Sequence, residues 1–171
     1  GEGFGGNDRD IPGRPSFILE PKGGGEVEVH SINFDELENT STIASGTLTL
    51  RYWNELSASA APGLAAPVDS ESATITMSGP QGWNEGDLIQ IGGELLRVEG
   101  GTGPVYSVSR GVYSTLPAAH PAATRVYPLS SRSVVMHFPR QFFGSPLSGT
   151  YSFRFSAPNM RIAAADLFVT N

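Results

Sequence analysis

Three histidines, His30, His120 and His137, are the side chains of this sequence best suited to proton transfer or metal ligation. Their separations match no local ligand motif. His30 and His137 fall on the polar side of alternating segments, where an ordinary exposed histidine is expected. His120 differs, because it sits in an alanine-rich loop broken by Pro117 and Pro121, where a ring nitrogen can serve backbone groups that no strand ladder satisfies. The carboxylates Asp35, Glu36 and Glu38 lie close together in sequence, yet neither a glycine-containing calcium loop nor a glycosidase pair of readable separation accompanies them, so a solvated acidic loop is expected. Gly1, Gly3 and Gly6 have the spacing of a dinucleotide fingerprint without the preceding strand or following helix that gives it meaning. No Gly-x-Ser-x-Gly elbow is present, and Asn39-Thr40-Ser41 fits a glycosylation acceptor that matters only in a eukaryotic secretory setting. These patterns assign no catalytic residue, no metal and no cofactor, and a non-enzymatic protein is the expectation.

Aromatic residues provide a second kind of chemistry. Tyr52, Trp53 and Trp83 fall at strand ends or in loops, where an exposed ring could stack on a sugar face or anchor a protein contact. The competing reading is that such rings cap the core, since tryptophan is highly buried on average. Trp83, between Gly82 and Asn84, is the better surface candidate.

The elements that must position these residues read as strands. Glu26–Ile32 alternates, with Val27 and Val29 on one face and Glu26, Glu28 and His30 on the other; Thr47–Tyr52 repeats the pattern through Leu48, Leu50 and Tyr52. Asn33–Ser41 is acidic and polar, and Asn54–Glu71 is rich in Ala, Ser and Pro and reads as a connection. Ala73–Met77 alternates again. Leu88–Ile91 and Glu94–Val98 flank Gly92-Gly93, a pair that tolerates the positive φ angles of a two-residue hairpin. Val105–Arg110 follows, with Tyr106, Val108 and Arg110 on one face, and Thr124–Tyr127 reads as a short closing strand. Val134, Met136 and Phe138 share a face, as do Tyr151, Phe153 and Phe155 beyond a turn at 144–149. In Ile162–Val169 the three alanines favour helix and Leu167-Phe168-Val169 favours strand; strand is the reading adopted.

Residues 86–127 carry a more specific pattern, made of Gly86, Asp87, Ile89, Ile91, Glu94, Leu96, Arg97, Val98, Val108, Arg110, Gly111, Thr115, Ala118, Ala119, His120 and Val126. This stretch resembles a small β module of bacteriophage tail and baseplate proteins and their prophage-like relatives, running G-D-x-I-x-I-D-x-E-x-L-R-V, then V-x-R-G-x-x-G-T-x-x-A-A-H and a final valine. It departs from that pattern at Gly92, where an acidic residue is usual, and at Ser114, where glycine is usual. The resemblance implies a β module used in assembly, with no chemistry attached. His120 belongs to the matched residues, and Glu94 and Arg110 are expected to join it in one structural polar network.

Bulk properties bound the remaining choices. The 171 residues suffice for one large or two small domains, with 39% hydrophobic residues. Glycine (21) and proline (13) make about a fifth of the chain, above the roughly 12% of average usage, which favours a turn-rich β protein. A net charge of −6 and a pI near 5.0 argue against nucleic acid or an anionic membrane as the main partner. Cysteine is absent, which removes disulfides and thiolate metal sites. Ala58–Val68, the longest small-apolar stretch, contains Pro62, Gly63 and Pro67 and cannot span a membrane as a helix.

The expected architecture is all-β: an immunoglobulin- or fibronectin-like sandwich formed by residues 16–56 and 129–171, interrupted by a small barrel-like module at 72–128, with 1–15 as a flexible lead-in. Two domains in series is the competing arrangement. The expected function is a structural or interaction module of a phage-tail-like or prophage-derived assembly, located in a virion or tail-like particle, with protein partners or self-assembly. The alternative is an extracellular carbohydrate-binding or adhesion domain using Trp83, Trp53 or Tyr52.

Overall fold

A computed structural model describes residues 4–5, 16–33, 46–54, 61–138, 152–156 and 162–170. Asp35, Glu36, Glu38, the Asn39-Thr40-Ser41 acceptor, Gly1, Gly3, Gly6, Tyr151 and the turn at 144–149 lie outside the described residues, as do the side chains of Met136, His137 and Phe138. All helical and strand structure among the described residues is β. The strands are β1 (Phe4–Gly5), β2 (Ser16–Gly23), β3 (Glu26–Asn33), β4 (Gly46–Asn54), β5 (Thr74–Thr76), β6 (Leu88–Ile91), β7 (Glu94–Gly100), β8 (Val105–Ser109), β9 (Tyr127–Pro128), β10 (Ser130–Phe138), β11 (Phe153–Ser156) and β12 (Ile162–Thr170). The ambiguous alanine segment is thus a strand.

The chain divides into two compact units, one formed by Gly1–Tyr52 with Ser131–Asn171 and the other by Trp53–Ser130. In the first, one sheet has the order β1-β2-β3-β11 and another the order β10-β4-β12. They share a single core: Phe17, Leu19, Val27, Val29 and Ile32 from one sheet meet Leu48, Leu50, Tyr52, Ala165 and Leu167 from the other. Burying each sheet's apolar face against the other removes both from water. Alternation alone would place Ser31, rather than Ile32, on the buried side. The pairing of β2 with β3 shifts between Ser16 and Ile18, and Ser31 takes a φ of 54°. This irregularity reverses the side-chain parity, so that Ser31 is exposed and Ile32 is buried.

The second unit is a curled five-stranded sheet in the order β5-β8-β7-β6-β9. Its core comprises Leu64, Val68, Ile75, Met77, Ile89, Ile91, Leu96, Val98, Tyr106, Val108 and Val126. Residues 61–71, expected as a connection, are built into this unit: isolated bridges join Gly63 to Arg125, Leu64 to Met77 and Val68 to His120. The closing strand also lies later than expected, with Gln90 paired to Tyr127 and Ile89 to Pro128. Gly92 holds a φ of 60° in the β6–β7 turn. Beyond β7, the buried Tyr106 hydroxyl accepts the Gln81 amide proton at 2.6 Å and fixes the segment leading to Trp83.

Tyr106→Phe leaves that amide without its acceptor while preserving the ring. The expected loss is about 1–3 kcal/mol, measured as a lowered urea midpoint with unchanged m-value.

Candidate functional site

The alternation of β7 places Glu94 on the same face as Leu96 and Val98, which is the core face. Its register partner is Ile91, itself fully buried. The parity of β8 continues through Tyr106 and Val108 to Arg110, just past the strand end. A carboxylate and a guanidinium therefore meet at one end of an apolar interior, with side-chain exposures of 1% and 8%.

The two groups are satisfied donor for acceptor. Glu94 Oε2 accepts from Arg110 Nε at 2.7 Å and from the Gly111 amide at 3.0 Å. Glu94 Oε1 accepts from Arg110 Nη2 at 2.9 Å, from the Ala118 amide at 3.1 Å and from His120 Nε2 at 2.8 Å. Arg110 directs its remaining donors to backbone carbonyls: Nη1 to Asp69 at 2.6 Å and Ser72 at 3.1 Å, and Nη2 to Ala118 at 2.7 Å. All five guanidinium N–H groups are thereby used. His120 is in turn held by its backbone, whose amide and carbonyl both pair with Val68.

Glu94, Arg110 and His120 are thus brought together, and four backbone segments around residues 69–72, 94, 110–111 and 118–120 are joined through them. The neighbouring chain is fixed by the polar backbone of β7. Beyond Ser109, β8 no longer pairs with β7. There, Val112 donates to the Leu95 carbonyl and Leu95 donates to Thr115 Oγ1, both at 3.0 Å. Gly111, with a φ of 57°, permits the turn, and an added Cβ there would lie 2.6 Å from Pro117 Cδ.

Burial alone would raise the Glu94 pKa. The hydrogen bonds from Arg110, His120, Ala118 and Gly111 outweigh it and hold the carboxyl down at about 2. The group is therefore ionised throughout the neutral range and has no proton to give, and its oxygens face protein donors. Such chemistry suits a fixed structural anchor rather than an acid or base.

The loop held in this way has a distinct surface. Leu116 is 82% exposed, and Pro117, Ala118, Ala119, Pro121, Ala122 and Ala123 are also exposed. No charged residue occurs between Arg110 and Arg125.

The aromatic candidates fare differently. Tyr52 and Trp53 are 3% and 4% exposed, which agrees with the reading that strand-end rings cap the core and removes both as candidates for surface contact. Tyr52 packs against Phe155 at a centroid distance of 5.3 Å, and Trp53 against Tyr113 at 5.6 Å. Both follow the apolar parity or end of β4 and are drawn into packing, so neither offers a free face. Trp83 is half-buried and packs on Tyr106 at 4.8 Å. His30, expected to be an ordinary exposed histidine, is half-buried and bonded to Glu20 and Ser31.

The depressed Glu94 pKa stabilises the fold above the ordinary value of 4.5, and this contribution is lost as pH falls toward about 2. The difference corresponds to on the order of 3 kcal/mol. Urea unfolding followed by tryptophan fluorescence at descending pH is expected to show this loss. Glu94→Gln, which leaves Arg110 buried without its counter-ion, is expected to cost about 3–5 kcal/mol at neutral pH and to show a shallower acid dependence.

No protein-family model matches the sequence, and no match is found among curated proteins.

Proposed function

We propose that the protein is a non-enzymatic structural or interaction module of a phage-tail-like or prophage-derived assembly, with the 111–123 loop as its contact surface. The observation that carries this reading is the pairing of a buried, satisfied ion network with a loop whose outward side chains are uncharged and mainly apolar. Ordering the loop before contact lowers the entropy lost on docking. Leu116, Pro117 and the surrounding alanines supply an apolar surface that a neighbouring protein can cover. The resemblance of residues 86–127 to the tail and baseplate module supports the same reading, since the matched residues include Glu94, Arg110, Gly111, Ala118 and His120. On this view the Trp53–Ser130 unit is that module, set into an immunoglobulin- or fibronectin-like sandwich whose two sheets share the first core, and the chain resides in a virion or tail-like particle. Its partners are proteins, including further copies of itself. No helix among the described residues is long and apolar enough to cross a membrane.

The assembly is tested by light scattering coupled to size exclusion over a concentration series, with negative-stain images of large species. A discrete ring or trimer is expected, and Leu116→Asp is expected to shift it toward monomer while leaving the melting temperature nearly unchanged, because the side chain is exposed. An assembly indifferent to Leu116→Asp would place the contact elsewhere.

The carbohydrate-binding alternative now rests on Trp83, since Tyr52 and Trp53 are buried. On the assembly reading a glycan array gives no binding. Binding abolished by Trp83→Ala would favour the alternative.

A further inference from the structure

Away from this loop, the first unit places an imidazole and two carboxylates on one solvent-facing patch. In the antiparallel pairing of β2 with β3, Glu20 stands opposite Glu28 and Ile18 opposite His30. Glu20, Glu28 and His30 therefore share the outer face, while Leu19, Val27 and Val29 point into the core. One ligand atom from each of the three lies within 4.8 Å of the other two. His30 Nε2 is 2.8 Å from Glu20 Oε2, and its Nδ1 is 2.9 Å from Ser31 Oγ.

The cations around the patch have different reach. Lys22 Nζ lies 3.4 Å from Glu20 Oε2 and 3.8 Å from Glu28 Oε1. From β11, Arg154 Nε donates to Glu28 Oε2 at 3.0 Å, and its Nη1 lies 3.7 Å from Glu26. Arg154 thus orients one oxygen of Glu28 and leaves Oε1 turned toward Lys22 and the patch centre.

We infer that Glu20, Glu28 and His30 form a binding site for a zinc-like divalent transition ion, in which the Lys22 ammonium stands in for the ion when the site is free. Carboxylates directly opposite each other on paired strands repel and call for a cation between them. Lys22 provides one, but as a mobile point charge on a long stem that can swing away. The imidazole sets the class of ion: calcium and magnesium take oxygen ligands, whereas one nitrogen with two carboxylate oxygens suits zinc and its neighbours. Three protein ligands leave a fourth tetrahedral position for water. Ligation through Nε2 requires the His30 proton to sit on Nδ1, and Ser31 Oγ is placed to accept it, the kind of contact that orients metal-bound imidazoles. All three ligands stand on paired strands whose opposite face is packed into the core, so little ordering is needed on binding. On binding, the ion replaces the ammonium of Lys22 and the hydrogen bond between His30 Nε2 and Glu20, with the single ring proton held on Nδ1 toward Ser31. This site is independent of the assembly reading, which concerns the other unit.

Isothermal titration of the full chain with zinc chloride in a non-chelating buffer at neutral pH is expected to give one ion per chain, with calcium chloride giving no heat of binding at the same concentrations. His30→Ala and Glu28→Gln are expected to weaken zinc binding by at least about tenfold, and Lys22→Gln to tighten it by removing the competing cation. Because the altered side chains lie on the outer face of the sheet and not in its core, circular dichroism of the variants should match the parent. Where one variant fails to fold, the shift of the His30 ring protons on adding zinc to the parent chain gives the same information. Absence of zinc binding, affinity unchanged in His30→Ala, or zinc-induced shifts confined to the His120 or His137 ring would overturn the proposal.

Discussion

The Glu94 carboxylate is the point on which the second unit turns. It lies on the core face of β7 with Leu96 and Val98 and opposite the buried Ile91, and an ionised group in such apolar surroundings is tolerable only if its lone pairs are met. Arg110 meets it with a two-point contact, and Gly111, Ala118 and His120 supply three more donors. Charge-assisted bonds of this geometry are stronger than neutral ones. A buried ion pair nevertheless offers weaker grounds for net stability than for a defined arrangement, because desolvation offsets much of the attraction. What it determines here is which backbone groups come together: the carbonyls of Asp69 and Ser72 and the amides of Gly111 and Ala118 each have one place to go. Residues 61–71 acquire a fixed course for the same reason, and Val68 pairs with His120 rather than running as a free connection.

Much of the strand framework was legible because burial follows period two. Val27 and Val29, Leu48 and Leu50, and Tyr106 and Val108 lie inside as their alternation requires. The same rule contained information about Glu94, since it shares parity with Leu96 and Val98; its carboxylate stood out in the sequence through the resemblance, whereas its depth follows from the strand. Ser31 shows where parity fails, because a local irregularity with positive φ is set by pairing to Phe17's neighbourhood and leaves no composition signal of its own. Tyr52 and Trp53 illustrate a different limit. A ring at a strand end can cap a core or face solvent, and only the tertiary neighbours, Phe155 and Tyr113, decide between them.

The two departures from the tail-module pattern bear directly on backbone geometry. Gly92 has a φ of 60°, and a Cβ there would meet only the His120 ring at 3.9 Å. An acidic or amide side chain fits this left-handed position sterically, since Asn and Asp enter it more readily than other residues. Ser114, standing where glycine is usual, itself has a φ of 63°, and the preceding Tyr113 has a φ of 56°. The chain therefore keeps a glycine-like conformation without the glycine, which costs about 1–2 kcal/mol per residue relative to ordinary backbone angles. That cost falls on the segment tied to Leu95 through Val112 and Thr115, where backbone pairing opposes relaxation.

An ion network beneath an apolar loop also solves a packing conflict. A loop of this length is ordinarily held by turning its own apolar side chains inward, which removes them from any contact surface. Here Val112 alone among the loop's larger apolar side chains turns inward, and residues 116–123 are gripped by their backbone, through the amide and carbonyl of Ala118 and those of His120, while Leu116 and the alanine methyl groups remain outside. Polar atoms inside and apolar atoms outside reverse the usual assignment, and the reversal is stable because every inward polar group of Arg110 and the Glu94 carboxylate has a partner. The consequence is a surface whose shape is fixed by electrostatics but whose outward chemistry is uncharged. On a chain of net charge −6, an uncharged surface of that kind opposes the approach of another acidic chain less than a carboxylate-bearing one would.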